Sequence, residues 1–415
     1  PGVDSGGMVN TLWLAATNYT TQYDLINAFI VQVGLGAQSV GLPVNVSPGG
    51  GGGGGGQDFD DALRPAAIFF NYSPDFPAKA REAAQGKCAA PAVLQWLIDH
   101  PLTIGSEAWR AVEALQGYRL LNVSDDDAQL VALHFPGIRQ ARCWHGVDPS
   151  ALCDAAALEP SHDGRGSRDI DVLVTGTVLS PEELAEKREQ VPAPLRRVCE
   201  EMVALRLAHP WMAFTQAWDL CAPVGLHSAT QWDLLRAAFL YTTAAVNTAR
   251  RLALVRSLDG LRVTAIGRGP WQSAGVHGLT VVPEVRYADL PVWFARARVS
   301  LAVNPTQFVH GFSERLLLSL AGGAASVTDD RVWVRREFSA CTRAFAPERP
   351  ESCRQAVEAL LNDRGACAVL GTAGRSVVAE RHLWRHRVHT LAVVADHAGA
   401  ELGWKQQPAP VAQGA

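Results

Sequence analysis

The sequence predicts an α/β protein of two domains, each a mostly parallel sheet flanked by helices. Three observations carry this. Short apolar runs such as Ala66–Asn71 and Val93–Ile98 alternate with segments whose apolar residues recur at helical spacing, the pattern of βαβ units. The chain has 415 residues, more than one core usually serves. Between Ala155 and Arg168 the composition turns to Pro, Ser, Asp, Gly and Arg, linker chemistry that places a boundary near residue 165.

Val9–Ala16 reads as the first strand and Tyr23–Val33 as the first helix. The turn Thr17–Thr21 between them lacks a Gly-x-Gly-x-x-Gly and reads as a plain α/β opening. Gly49–Gly56 cannot hold one conformation against its entropy and reads as a mobile surface loop. It ends in Gln57-Asp58-Phe59, not in the Gly-Lys-Ser/Thr of a phosphate loop. After the strands Ala66–Asn71 and Val93–Ile98 comes Asp99-His100-Pro101. Polar residues at the end of an apolar strand sit where α/β enzymes place their chemistry; a turn Asp beside a surface His is the plain alternative. Ser106 is expected to cap a helix to Leu115, Tyr118–Val123 is a strand, and Ser124 opens a helix to His134 whose Asp125, Asp126 and Asp127 complement its dipole. Gln140–Trp144 is the last strand of this half, before the turn His145-Gly146-Val147-Asp148-Pro149.

In the second half Asp169–Thr177 is a strand with a turn at Gly176, and Pro181–Val191 is helical. A mostly helical insertion occupies about 195–258, with a broad apolar face in Trp232–Val246. Leu261–Gly269, Leu279–Pro283 and Tyr287–Ala297 follow as strand with glycine turn, strand and helix. Val299–Asn304, the helix Glu314–Ala321 behind Ser313 as N-cap, and Ala324–Thr328 form a βαβ unit, with Gly322-Gly323 releasing the chain from the helix. That helix starts at the carboxyl edge of the preceding strand, and its first turn offers unpaired N–H groups that suit a phosphate. Arg349–Leu361 and Thr372–Val393 are helical, and the Gln-, Pro- and Ala-rich tail after Trp404 is expected to be disordered.

The order Gly311-Phe312, helix, Ala321-Gly322-Gly323, apolar strand, Thr328-Asp329 is similar to the nucleotide-sugar site of GT-B glycosyltransferases. Ser313-Glu314-Arg315 looks most like their CgeB-like, spore-maturation branch. The succession from Leu261 to Ala297 agrees, so the resemblance covers about residues 168 to 395, with the N-terminal part matching in outline. It implies two Rossmann-like domains facing across a cleft. Residues 1–165 would form the acceptor side, and residues 166–395 the nucleotide-sugar domain with its helical insertion and a terminal helix crossing back. Residues 396–415 would be a tail. It also implies transfer of a sugar from a nucleotide-diphosphate sugar, with a glycan, a protein or a small molecule as acceptor and no separate cofactor.

On this resemblance the donor site is formed by Gly176, Arg268, His310, Gly311, Phe312, Ser313, Glu314 and Arg315. Glu314 would meet the ribose hydroxyls, and the amides after Ser313, with Arg268 or Arg315, the diphosphate. Retaining members carry a Glu at each end of an eight-residue span, where this chain has His310 and Leu318. Glu314 lies one turn before Leu318 on the same helix face and can take over a contact; from the residues alone it complements the helix dipole. As acceptor base Asp99 stands first, its carboxylate raised by desolvation beside Trp96 and Ile98, with His100 and His145 behind it.

Composition bounds the rest. Apolar residues make 48% and charged residues 19%, the balance of a soluble globular enzyme. A formal charge of −4 gives no electrostatic case for nucleic acid. No apolar run approaches a membrane span, and Pro1–Gly7 lacks the positive start of a signal peptide, with Met8 a candidate natural start. Eight scattered cysteines without a Cys-x-x-Cys pair read as reduced thiols, so a cytoplasmic location and no metal site are expected. Two rivals stay open on the same fold: a non-catalytic nucleotide-sugar-binding or coat-assembly protein, and a nucleotide-sugar epimerase.

Overall fold

The computed structural model describes residues 11–15, 25–47, 65–70, 92–152, 168–224, 226 and 231–401. The turn 17–21, the glycine tract 49–56, the linker up to residue 167, Met8 and the tail after Trp404 lie outside the described residues. The chain divides into two compact units, one comprising Pro1–Val123, Asp127–Trp144 and Trp384–Ala415, the other Ser124–Asp126 and His145–Leu383.

In the first unit β1 (Thr11–Ala15), α1 (Leu25–Ser39), β2 (Val44–Ser47), β3 (Pro65–Phe70), β4 (Ala92–Leu97), α2 (Ser106–Glu113), β5 (Tyr118–Asn122), α3 (Asp125–His134, counted in this unit from Asp127 on) and β6 (Gln140–Arg142) follow one another. The six strands form one sheet, order β2-β1-β3-β4-β5-β6, with every pairing parallel. β4 and β5 are buried at every position, because a parallel sheet covered on both faces has no solvent side. Polar groups in that interior satisfy one another: Tyr118 Oη donates to Gln95 Oε1 at 2.6 Å. The N-cap of α2 is Gly105, one residue before the expected Ser106, whose side chain is buried.

The chain's last helix, Trp384–Glu401, belongs to this unit. Trp384 is fully buried, edge-on to Phe29 at 5.0 Å and to Trp96 at 5.3 Å, and its Nε1 donates to Gln32 Oε1 at 2.7 Å. A ring of that size buries about 150–250 Å², worth about 4–6 kcal/mol at about 25 cal/mol per Å². The helix runs to Glu401, past residue 395 where a tail was expected, because Ala395 and Ala398 are still buried.

The second unit contains β7 (Ile170–Thr175), α4 (Pro181–Glu189), α5 (Arg196–Ala208), α6 (Phe214–Cys221), α7 (Trp232–Ser257), β8 (Val263–Ile266), β9 (Leu279–Val282), α8 (Leu290–Arg296) and β10 (Ala297–Ala302). It continues with α9 (Glu314–Ala321), β11 (Ala325–Asp329), α10 (Val332–Phe338), β12 (Thr342–Phe345), α11 (Pro350–Asn362) and α12 (Arg364–Arg381). Its sheet, order β12-β11-β10-β7-β8-β9, is again parallel throughout. Val172, Val299, Leu301 and Val327 pack one sheet face against Leu254, Val255 and Val357. α4 is opened by a capping box between Ser180 and Glu183, the residue pattern that satisfies two orphan N–H groups at once. From β7 the chain builds outward through β8 and β9, then returns to build outward through β10, β11 and β12. The order therefore reverses between β7 and β10, and open α/β sheets bind ligands outside the carboxyl ends of the strands at that point. No helix among the described residues is long and apolar enough to cross a membrane.

Candidate functional site

The loop from β10 to α9 runs along this carboxyl edge, and Asn304 anchors it. Its backbone N–H donates to Asp329 Oδ1 at 2.9 Å, its Nδ2 to the same oxygen at 3.1 Å and to Thr328 Oγ1 at 3.2 Å. Its Oδ1 accepts the Ser313 N–H at 2.9 Å. One buried amide thus ties the ends of β10 and β11 to the residue before α9. Ser313 has N-cap backbone angles, but its hydroxyl makes no capping bond, so the expected side-chain cap is replaced by this backbone tether. Glu314, the first helical residue, has its side chain 12% exposed, with Arg315 Nε 3.7 Å from its Oε1. Both charges act on Tyr287, whose hydroxyl burial pushes well above its ordinary pKa. Phe312 differs from the expectation of a ligand contact: it is fully buried, edge-on to Phe338 at 5.0 Å and His382 at 5.9 Å, and holds the loop to the core. Gly311 is buried too. His310 is half-buried, with Nδ1 2.9 Å from either oxygen of Asp126, a residue of the same unit.

Beside this loop, the chain leaving β7 and the chain leaving β8 run together. Gly176 N–H donates to Ile266 O at 3.0 Å and Val178 N–H to Arg268 O at 2.9 Å, prolonging the ladder past the strands. Gly267 (φ 139°) and Gly269 (φ 105°) lie so close to the neighbouring loop that a Cβ would stand 1.8 Å from Gly176 O and 1.6 Å from Val178 O. Only glycine fits both the angle and the space. Between them the exposed Arg268 reaches Glu183 Oε1 at 3.0 Å.

A second group, buried behind the anchored loop, was not legible as a site. Asp329 is fully buried between Arg331, whose Nε hydrogen-bonds its Oδ2, and Arg250, whose Nη2 stands 3.7 Å from the same oxygen. Arg206 adds a third buried guanidinium, bonded to Thr306 O at 3.0 Å and Thr243 Oγ1 at 3.3 Å. Burial would raise the Asp329 carboxyl, but Arg331, Arg250 and the Asn304 N–H outweigh it and hold it below its usual range. Burial lowers Arg206 and Arg250 to about 10; neighbouring guanidiniums pull the same way, and at Arg250 the Asp329 carboxylate opposes them. The sequence did hold one signal. Phe239, Thr243, Val246, Arg250 and Leu254 recur at helical spacing on the buried stripe of α7, so Arg250 occupies a core position. Next to this group lies a cavity of about 430 Å³ whose lining includes Trp211, His310, Arg331, Arg335 and Arg349.

The residues considered for the acceptor base are differently placed. Asp99 is exposed just past β4, so the apolar cover expected from Trp96 and Ile98 is absent; both of those side chains are buried. His100 is buried and structural: its Nδ1 accepts the Leu102 N–H at 3.2 Å and its Nε2 faces Asp127 at 3.5 Å. Asp127 is therefore an internal partner and not a solvated dipole complement. His145, in the second unit, is buried edge-on to Phe308 at 6.1 Å. A strand-end position is visible in sequence, whereas the inward turn of an imidazole is not.

Residues 249–392 match the family described as glycosyl transferase-like. Among solved structures the chain is similar to sucrose-phosphate synthase from Thermosynechococcus elongatus, with 10% identity over 92% of this chain and 96% of that one and a TM-score of 0.51. It is also similar to HepE from Anabaena in complex with UDP and glucose, at 10% identity, 92% and 98% coverage and a TM-score of 0.49. A glycosyltransferase from Rickettsia africae gives 7% identity, 94% and 98% coverage and a TM-score of 0.49. A search of curated proteins found no match. The chain thus has the α/β fold with parallel sheets of GT-B glycosyltransferases.

Proposed function

We propose that the protein is a glycosyltransferase that moves a sugar from a nucleotide-diphosphate sugar to an acceptor of unassigned chemistry. The observation that carries this reading is the start of α9: Asn304 and Asp329 fix a helix N-terminus at the carboxyl edge, beside the point where strand order reverses, with Glu314 as first helical residue. The glycosyl transferase-like match spans this segment. Such an N-terminus attracts phosphate through aligned N–H groups. In the reading, Glu314 accepts hydrogen bonds from the ribose hydroxyls, and the α9 amides with Arg315 or Arg268 neutralise the diphosphate as it leaves. Fixed dipoles and guanidiniums can supply this stabilisation without a metal, so turnover that survives chelator is part of the proposal. The bare glycine backbone at Gly176 and Gly267 lets the two adjoining loops run together at this edge.

Asp99, exposed at the end of β4, remains the proposed acceptor base. Transfer that persists in Asp99→Asn would remove it. Kinship with the CgeB-like branch and a cytoplasmic location are further parts of the reading. A second reading, a nucleotide-sugar-binding protein without chemistry, is favoured by Leu318, which is buried where retaining relatives of the resemblance carry a carboxylate.

A thermal-shift screen of nucleotide sugars tests the donor, followed by turnover with and without cell extract as acceptor source. Stabilisation by one nucleotide sugar together with acceptor-dependent release of nucleotide is the expected result. Stabilisation without turnover supports the second reading, acceptor-independent change of the sugar an epimerase, and no response to any nucleotide sugar overturns the proposal.

A further inference from the structure

We infer that the second unit carries an oxyanion-binding site at the floor of the cavity beside α10, formed by Arg331 with Arg250 and Arg206 behind it, which takes the phosphate or carboxylate group of a small ligand. The cavity shares His310 with the loop that leads into α9, but the inference does not rest on the glycosyl-transfer reading.

The charges do not balance. Two buried guanidiniums, Arg331 and Arg250, share one buried carboxylate, and a third, Arg206, adds its charge beside them. That carboxylate is already occupied: its Oδ1 accepts two donors from Asn304 and its Oδ2 accepts Arg331 Nε. Arg250, 6% exposed, makes no hydrogen bond from Nη1 or Nη2 to any described group, and its approach of 3.7 Å to Asp329 is too long for one. Arg331, also 6% exposed, uses Nε on Asp329 and Nη1 on Phe308 O at 2.9 Å, leaving Nη2 without a partner. Water can satisfy such donors but cannot neutralise the charge, and an isolated buried charge is costly. An oxyanion does both, and the planar guanidinium fork suits it.

Access and selectivity follow from the same map. Arg331 belongs both to the cluster and to the lining of the 430 Å³ cavity. The cavity's outer cations are compensated: Arg335 bonds Asp330 at 2.9 Å and Arg349 stands 3.8 Å from Glu348. The donors without partners lie behind this rim, buried on Arg331 and Arg250. The half-exposed Trp211 forms part of the wall, a flat apolar face for the carbon skeleton behind the anionic group. Arg250 and Arg206 remain cationic at neutral pH although burial lowers both.

Inorganic phosphate is the probe, titrated into the full chain at an ionic strength held constant with sodium chloride, with the thermal midpoint and calorimetric heat as readouts. Saturable stabilisation is expected, lost or weakened at least tenfold in Arg250→Gln and retained in the rim variant Arg335→Ala. In phosphate-free buffer Arg250→Gln should still unfold cooperatively, with a midpoint lowered by the loss of its pairing with Asp329. Should that variant fail to fold, Arg331→Lys keeps the charge but removes the Nη2 donor, and a tenfold loss of phosphate affinity is expected there. A phosphate response that persists in Arg250→Gln or Arg331→Lys, or that disappears only in Arg335→Ala, overturns the site. A nucleoside diphosphate arm identifies the source of the anion. Phosphate stabilisation that vanishes at saturating nucleotide assigns the site to the nucleotide's own phosphates; additive stabilisation assigns it to a second, anionic ligand.

Discussion

Asn304 gives Asp329 two donors on one oxygen, at 2.9 and 3.1 Å, and with its side-chain Oδ1 accepts the Ser313 N–H at 2.9 Å. The position of the α9 start is therefore set by a residue that precedes it by a full loop. Asn304→Ala removes the Nδ2 donor from Asp329 Oδ1, which keeps the backbone N–H, and leaves the buried Ser313 N–H without its acceptor, at about 1–3 kcal/mol. Denaturant unfolding should show a loss in that range or up to twice it, and Asn304→Ser should recover only part.

Asp329 makes this anchor sensitive to acid. Its folded carboxyl titrates below the unfolded value of about 3.9, so its contribution is complete above that pH and is lost as the pH falls through the folded value. Asp329→Asn breaks a buried ion pair and should destabilise by about 3–5 kcal/mol at pH 7. The gap between variant and wild type should narrow steadily below about pH 4 in unfolding measurements made at several pH values. A constant gap would show that the fold does not shift the Asp329 carboxyl.

Glu314 tests the donor reading itself. Removing a hydrogen bond between a charged group and the ribose costs about 1.5–3 kcal/mol, or about 10- to 150-fold in affinity. Glu314→Ala should raise the dissociation constant for a nucleoside diphosphate by that factor and leave the thermal midpoint of the free protein within a few degrees. Unchanged affinity would return Glu314 to a dipole complement.

At the paired glycine loops the expected effect is steric. Gly267→Ala sets a methyl 1.8 Å from the Gly176 carbonyl oxygen at φ 139°, so the backbone must move. Gly275→Ala also has positive φ, 66°, but open space around it. The second should cost the about 1–2 kcal/mol of a left-handed residue, and the first clearly more. Comparable midpoints by calorimetry would contradict the close approach.

The described cysteines differ in reactivity for a physical reason. Burial raises Cys143, Cys199 and Cys353 to about 12 and Cys341 to about 11, whereas Cys221 and Cys367 are only partly covered. At pH 8 a thiol of pKa about 12 is thiolate to about one part in ten thousand. Alkylation of the native protein followed by peptide mass spectrometry should mark Cys221 and Cys367, with the other four appearing only after unfolding.

Much of the fold was legible because parallel sheets write themselves into sequence. β4 is apolar at every position but Gln95, β7 and β10 are apolar at most positions, and the glycine pair after α9 marked the return to β11. β12 and α10 went unread. Thr342-Arg343-Ala344-Phe345 is an edge strand buried only at its ends, and α10 buries just Val334 and Phe338, so neither carries a periodic signal. The site divides the same way. A helix start at a strand's carboxyl edge follows from local pattern, whereas the inward turn of Phe312, His100 and His145 and the pairing of Arg250 and Arg331 with Asp329 arise only when distant segments meet.

Trp384 enters a core whose other walls, Phe29 and Trp96, were made nearly three hundred residues or more earlier in the chain. On the ribosome, the first unit must therefore wait with its tryptophan pocket open while the whole of Ile170–Arg381 is synthesised and folds. The second unit, nearly continuous in sequence, can finish before the first that began. This order makes the early half the one exposed to chaperones, and makes a chain ending before Trp384 one whose damage falls at the end farthest from the break.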